Sequence, residues 1–281
     1  VRRKIMIANT LPLLTWRWLK VNESLIELPE VKDQVHEIKA EEGQEVSALF
    51  DTNEMVGPGA SRHTVINIRA EKDSTINIYY VARSHEEEKA LTDIRADVME
   101  SARVNLIQIE AGAKDVVTNY VANLIGDKSS TNVEAVYFAD GDNRGDIFYN
   151  INQMGKETDS NILVNGALKD KAKKTFKGTI DFKRGSIGST GSEEEFATLL
   201  DDEVRSIAVP VLLCQEDDVE GVHAASAGKI DQDTLFYIMS RGINEEEAKK
   251  VIVETKLAPT IHKLPDEKLR EDVWRHIEAR M

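Results

Sequence analysis

The chain has 281 residues, of which 41% are hydrophobic and 31% charged, and its formal net charge is −14. This composition predicts a soluble folded protein, and no apolar run approaches the roughly 20 residues that a membrane span needs. The excess of carboxylates repels phosphate backbones, which argues against nucleic-acid binding and favours a partner with a basic face or a cationic ligand.

The sequence contains a single cysteine, Cys214. One thiol cannot form a disulfide within the chain, which is typical of a protein in the reducing cytoplasm. It also excludes a zinc ribbon or an all-cysteine cluster site built from one chain.

Residues 1–40 mix apolar and charged side chains, including Trp16, Trp18 and Leu19. We interpret this region as a separate N-terminal segment with a short helix and an irregular start.

Residues 41–230 consist of short segments in which apolar and polar residues alternate, the period-2 pattern of half-buried strands. Turn residues such as Gly126, Gly141 and Gly155 separate these segments, and strand starts recur every roughly 11 to 16 residues. The spacing indicates an all-β body but leaves two architectures open. The absence of a strict internal repeat favours a sandwich or barrel, whereas the scarcity of tight Asn-Gly hairpin turns favours a parallel β-helix.

Residues 231–281 predict a small helical module. Asp231 and Asn244 are suited to cap two helices, and Gly242 is suited to end the first of them. Pro259 is expected to end the second. A third helix is predicted from about Pro265 to the last residue.

Between about residues 175 and 255, an acidic pair precedes a histidine among small residues, and several short motifs surround them. These segments are Phe176-Lys-Gly-Thr-Ile180, Leu199-Leu200, Val209-Pro210, Asp217-Asp218, His223, Lys229-Ile230, Leu235-Phe236-Tyr237 and Ser240-Arg241-Gly242-Ile243. In combination they resemble the SufB/SufD family of iron–sulfur cluster assembly proteins.

The resemblance implies a right-handed parallel β-helix with helical ends, and a scaffold rather than an enzyme with its own active site. It further implies a dimer formed through the β-helix, a SufC-like ABC ATPase docked on the C-terminal module, and transfer of a transient iron–sulfur cluster to recipient apoproteins. The chain is similar to compact archaeal members, in which one subunit type serves as a homodimer.

Three residues are candidate metal ligands. A neutral imidazole binds iron well, and His223 falls on the family's histidine. The SufB cysteine on the preceding rung falls near Glu195, whose carboxylate could bind iron, although a solvated acidic loop is the alternative. Cys214 is the only thiolate, with a buried core position as its alternative. The family pattern is also broken by Ala224, where SufB has glutamate, and by Gly221, where SufD often has cysteine.

The docking candidates for the ATPase are Leu235, Phe236, Tyr237, Arg241 and Gly242, with simple helix packing as the alternative. Asp217, Asp218 and Glu220 are more typical of a turn than of a metal site. The glycines around Ser189 lack the Lys-Ser/Thr ending of a phosphate loop, so we expect no nucleotide to be bound by this chain.

Two other functions stay open at this point. The chain could be a structural partner of the ATPase that binds no cluster. It could also be a β-solenoid enzyme acting on acidic sugars or esters, although an aromatic content of 6% weakens that hypothesis.

Overall fold

The described part of the chain is built mainly from β-strands. The computed structural model describes residues 3–13, 17–29, 31, 33–56, 61–85 and 87–281. Two strands come first, β1 Arg3–Ala8 and β2 Ser24–Pro29, with a 3-10 helix at Arg17–Leu19 between them. The strands of the main body are β3 Gln34–Ala40, β4 Glu45–Asp51, β5 Arg62–Ala70, β6 Thr75–Arg83, β7 Lys89–Val98, β8 Arg103–Ala111, β9 Asp115–Leu124, β10 Ser130–Ala139, β11 Arg144–Gln153, β12 Asp159–Leu168, β13 Lys173–Phe182, β14 Ser189–Leu199, β15 Arg205–Cys214 and β16 Val219–Lys229.

The main body is a parallel β-solenoid. Its strands form two seven-stranded sheets, one of odd-numbered strands from β3 to β15 and one of even-numbered strands from β4 to β16. Every pairing within these sheets is parallel, and each pair of consecutive strands makes one rung. Hairpin-connected sandwiches would instead give antiparallel neighbours, so the structure settles the architecture in favour of the solenoid. The first rung starts at residue 34, before the predicted boundary at 41.

The core lies between the two sheets, where inward side chains of successive rungs stack in columns. One column in the even-numbered sheet contains Ile78, Leu106, Val133 and Ile162, paired in register and fully buried. Each such side chain stabilises the fold by roughly 1.5–3 kcal/mol relative to exposure. Each rung therefore depends on the next one to cover its apolar face.

The helices are α1 Thr52–Val56, α2 Gln232–Met239, α3 Glu245–Ile261 and α4 Glu267–Glu278. The apolar faces of α3 and α4, including Leu257 and Val273, pack on outward residues of the even-numbered sheet such as Ile107 and Phe138. The helical module therefore covers that sheet from outside. In the part of the chain described, no helix is both long and apolar enough to cross a membrane.

The ends of the helices agree with the predictions from the sequence, with one exception. Asp231 caps α2 and Asn244 caps α3, the latter in a reciprocal capping box, as predicted. The prediction that Pro259 ends the second helix is wrong, because α3 continues to Ile261. A proline in the last turn forfeits one backbone hydrogen bond, and α3 is held through that turn by its packing against the sheet.

The prediction for residues 1–40 is only partly right in the part that the structure describes, because a short 3-10 helix does occur at Arg17–Leu19 but most of the region is strand. β1 and β2 pair as an antiparallel hairpin, and β3 already belongs to the first rung. Alternating apolar residues, such as Ile26 and Leu28 in β2, bury one face of the hairpin, and this period of two favours a strand. Trp16 lies outside the described residues.

Candidate functional site

The last rung, β15 and β16, forms an open end of the solenoid. Every residue of β16 is at least partly exposed, whereas strands further inside alternate with buried positions. The inward column that is aliphatic as far as Ile162 continues with Glu193 in β14 and His223 in β16. At the last two rungs, titratable side chains therefore replace aliphatic ones.

His223 and Cys214 reach this open end from opposite sheets. A Cβ atom at Gly221 would lie 3.0 Å from the Phe182 ring, so position 221 faces the interior. His223, two residues further along the strand, faces the same side. Cys214 pairs in register with the buried Phe182 and also faces inward. Both side chains are exposed because no rung follows, so the alternative of a buried core cysteine is wrong.

Glu195 is not in a solvated acidic loop, and it is not a free ligand either. It is fully buried in β14, where its carboxylate forms an ion pair with the equally buried Lys174 of β13. The Tyr137 hydroxyl donates to the same oxygen, Glu195 Oε1, at 2.8 Å. Burial lowers the pKa of Lys174, and the adjacent Glu195 opposes that shift. These contacts hold Glu195 inside the solenoid, beneath the last rung.

Glu193 is a residue of this region that the sequence did not single out. Its carboxyl lies against the bare backbone of Gly178, where a Cβ atom would be only 2.0 Å from Glu193 Oε1. Glu193 Oε2 has no hydrogen-bond partner among the described residues, although Glu193 is 1% exposed. Burial, with a further contribution from Glu195, raises the pKa of Glu193 to about 8. The signal that could have found it is the spacing, because residues 193 and 195 must share one face of a strand.

The Tyr137 ring occupies the space above a glycine, which gives a first test of this region. A Cβ atom at Gly166 would lie 2.0 Å from Tyr137 Cζ, so a methyl group there displaces the ring and its hydrogen bond to Glu195. We expect Gly166→Ala to lower the free energy of unfolding by about 1–3 kcal/mol in urea denaturation. Gly145→Ala is the control, since its Cβ would meet nothing within 4 Å. Equal losses in the two variants would contradict the expected clash.

The predicted docking residues on α2 divide into two groups. Leu235 is buried against Ala248 and Ile252 of α3, so it fixes the helix to the module. Phe236 and Tyr237 are 74% and 59% exposed. The Arg241 guanidinium lies 4.8 Å from the centre of the Tyr237 ring. The structure thus leaves an aromatic surface on the outer side of α2, and the adjacent Gly242, at a φ of 95°, follows the end of the helix.

Within the described residues, no group of three or more His, Cys, Asp or Glu side chains is placed to hold a metal ion. His223 and Cys214 give at most two ligands from one chain at the open end.

Comparison with known proteins agrees with this architecture. The family described as "SUF system FeS cluster assembly, SufBD core domain" matches residues 30–256. The chain is 32% identical over 167 residues to the iron–sulfur cluster assembly protein SufD of Bacillus subtilis, a stretch that covers 59% of this chain and 38% of that protein. It is 29% identical over 187 residues to a SufBD family protein of Mycobacterium tuberculosis, covering 66% and 22% of the two chains.

A third relative, a SufBD family protein of Staphylococcus saprophyticus, is 26% identical over 231 residues, covering 82% of this chain and 50% of the relative. The matched stretches thus span half or less of each of these relatives. The match to the SufBD core nevertheless takes in most of the solenoid, its open end and α2. This chain belongs to the SufBD family of SUF-system iron–sulfur cluster assembly proteins.

Proposed function

We propose that this chain is a scaffold on which iron–sulfur clusters are assembled for transfer to recipient apoproteins in the cytoplasm. The observation that carries the proposal is that His223 and Cys214 both face inward on the exposed last rung, from β16 and β15. An imidazole and a thiolate are both suitable ligands for iron. The cluster would be cargo, bound transiently at the open end, which solvent and a recipient protein can reach.

The proposal includes a homodimer in which two chains meet at their open ends. One chain offers too few ligands for a cluster, and a second copy meeting it end to end would double them. Among the strands that the structure describes, β15 and β16 each have one edge without a hydrogen-bonded neighbour, and such edges are ready to pair with another chain. The site would then lie at the junction of the two copies.

A SufC-like ABC ATPase is the proposed partner of the helical module, and ATP hydrolysis would belong to that partner. The exposed Phe236 and Tyr237 on α2 form the proposed docking surface, since exposed aromatic residues are common anchors of protein interfaces. The chain itself would act by binding and presenting the cluster rather than by catalysis.

The test is anaerobic reconstitution with ferrous iron and sulfide, followed by visible absorption and iron analysis after desalting. We expect wild type to retain a cluster, and His223→Ala and Cys214→Ser to retain about tenfold less iron. His262→Ala, which changes an exposed histidine on the helical module, is the matched control. Wild-type protein that never develops the charge-transfer absorption would overturn the scaffold proposal.

The second candidate function is a structural partner of the ATPase that binds no cluster. The engagement of Glu195 by Lys174 and Tyr137 favours it, because the position of the SufB cysteine is then occupied by a carboxylate that is already paired. Normal ATPase binding without cluster retention would select this candidate.

A further inference from the structure

Another histidine with acidic neighbours lies near the N-terminal end of the solenoid, on the outer face of the odd-numbered sheet. It is His63 of β5, which alternation places on the side opposite to the core residue Ile66. Its side chain is only 7% exposed. In the register of the sheet it lies beside Leu91 of β7, which Ile26 and Leu28 of the N-terminal hairpin cover. The ring is therefore largely shielded from water, which strengthens its interactions with nearby charges.

One ring nitrogen of His63 is held by a carboxylate. Oδ1 of Asp33, the residue before β3, lies 2.9 Å from His63 Nδ1. This distance fits a hydrogen bond in which the Nδ1–H group donates to the carboxylate. A neutral ring with its proton on Nδ1 has its lone pair on Nε2. Asp33 thus fixes the orientation of the ring and leaves Nε2 as the nitrogen that can bind a ligand.

The other ring nitrogen of His63 lies near a second carboxylate without bonding to it. His63 Nε2 has no hydrogen-bond partner among the described residues, and it lies 3.9 Å from Asp93 Oδ2 of β7. The second oxygen of that carboxylate, Asp93 Oδ1, accepts from Asn119 Nδ2 of β9 at 2.8 Å, which holds the group in place. Asp93 Oδ2 and His63 Nε2 are therefore separated by a gap too wide for a hydrogen bond.

The gap between these two atoms suits a metal ion. Zn²⁺ binds imidazole nitrogen and carboxylate oxygen at about 2.0–2.2 Å, so two atoms that bind one ion lie roughly 3–4 Å apart. A histidine that binds a metal usually donates its other ring N–H to a carboxylate, which is the role of Asp33 here. The exposed Arg95 guanidinium lies 3.8 Å from Asp93 Oδ2, and such an exposed ion pair is weak enough for a metal ion to displace.

We propose that His63 Nε2 and Asp93 Oδ2 bind a divalent transition-metal ion such as Zn²⁺, with Asp33 as the carboxylate that orients the histidine. Two protein atoms bind the ion directly, and water fills its other positions. The ion links the second rung, through His63, to the third rung, through Asp93. This site lies far along the sheet from β15 and β16, so it does not depend on the cluster site proposed at the open end.

A proton competes with the metal ion for the same nitrogen. Proximity to Asp93 raises the pKa of His63, with a further contribution from Asp33, and burial opposes the shift. Without a metal ion, the charged ring would form an ion pair with both carboxylates. Binding of the metal ion therefore releases a proton from Nε2, and the experiment has to distinguish a metal site from a simple ion pair.

The experiment measures Zn²⁺ binding to the full chain by isothermal titration calorimetry at neutral pH. Every protein in the series carries Cys214→Ser and His223→Ala, so that the candidate ligands at the open end do not contribute. We expect this background chain to bind Zn²⁺ at a saturable site, and His63→Gln and Asp93→Asn each to weaken that binding at least about tenfold. Circular dichroism checks that each variant keeps the solenoid.

Two further variants test the role of Asp33 and provide the matched control. Asp33→Asn keeps the shape of the side chain but removes its charge, and we expect it to weaken Zn²⁺ binding about tenfold. Asp97→Asn is the control, since Asp97 also lies on the outer face of β7 and accepts from Asn123 Nδ2 at 2.9 Å. Its neighbour in β5 is Arg69 rather than a histidine, so Zn²⁺ binding should stay unchanged.

Histidine NMR of the background chain gives a readout that needs no variant at the site. Zn²⁺ at one equivalent should shift the ring resonances of His63 and leave those of the exposed His262 unchanged.

Three outcomes would overturn the proposed metal site. Equal Zn²⁺ affinity in all variants would indicate an adventitious ion only. Absence of saturable binding and of any shift in the His63 resonances would leave His63 in a simple ion pair with Asp33 and Asp93. An unchanged affinity in Asp33→Asn would remove the carboxylate that orients the ring. None of these outcomes bears on the scaffold proposal, because the ligands at the open end are absent from every protein in the series.

Discussion

Replacing Lys174 by methionine is expected to lower the free energy of unfolding by about 3–5 kcal/mol. The ammonium is 1% exposed and pairs with Glu195, whose side chain is equally buried. Lys174 also lies 5.6 Å from the centre of the Tyr137 ring and donates to the Ile207 carbonyl oxygen at 3.3 Å. Methionine fills a similar volume but leaves the Glu195 carboxylate buried without its counter-charge. Urea denaturation at neutral pH measures the loss.

The double variant Lys174→Met with Glu195→Leu separates the lost charge from lost packing. A buried pair replaced by apolar residues of similar volume is often close to neutral in stability. We therefore expect the double variant to recover most of the loss, apart from about 1 kcal/mol for the Tyr137 hydroxyl that loses its acceptor. A double variant no more stable than Lys174→Met would show that the broken ion pair does not cause the lower stability of Lys174→Met.

The strands could be predicted from the alternation of apolar and polar residues. The spacing between strands, however, could not distinguish a solenoid from a sandwich. Asparagines do mark the period, since Asn77 and Asn105 are separated by 28 residues and Asn132 and Asn161 by 29. Within each pair, the later asparagine donates its side-chain N–H to the side-chain oxygen of the asparagine in the preceding rung. This signal is faint because the inward columns need only apolar residues of suitable size, which leaves no strict repeat in the sequence.

The resemblance pointed to His223, which lies at the open end, whereas the solvated acidic loop considered for Glu195 is wrong. Three consecutive glutamates look like a solvated loop when strand register is unknown. Only the stacking of the two sheets shows that Lys174 of β13 and Glu195 of β14 face each other across the interior of the solenoid. The sequence analysis missed the N-terminal hairpin for a related reason. Its two strands are joined by a long loop without a tight-turn signature.

Changing Glu193 to glutamine is expected to stabilise the protein more as the pH rises. The carboxyl has an ordinary pKa near 4.5 when unfolded and a pKa of about 8 when folded. Between these values the folded protein keeps a proton that the unfolded chain has lost, so wild-type stability falls as pH increases. At about 1.4 kcal/mol per pKa unit, the full cost approaches ~5 kcal/mol above about pH 8. Glutamine does not titrate and avoids this cost.

Urea denaturation of wild type and Glu193→Gln from pH 5 to pH 9 measures the effect. The amide's own hydrogen-bonding cost does not change with pH, so the informative quantity is the change in the stability difference. We expect that difference to shift in favour of the variant by about 2–5 kcal/mol across this range. Glu194→Gln, an adjacent change on the outer face of the same strand, is the matched control. Parallel curves for wild type and Glu193→Gln would mean that the Glu193 carboxyl already ionises freely in the folded protein.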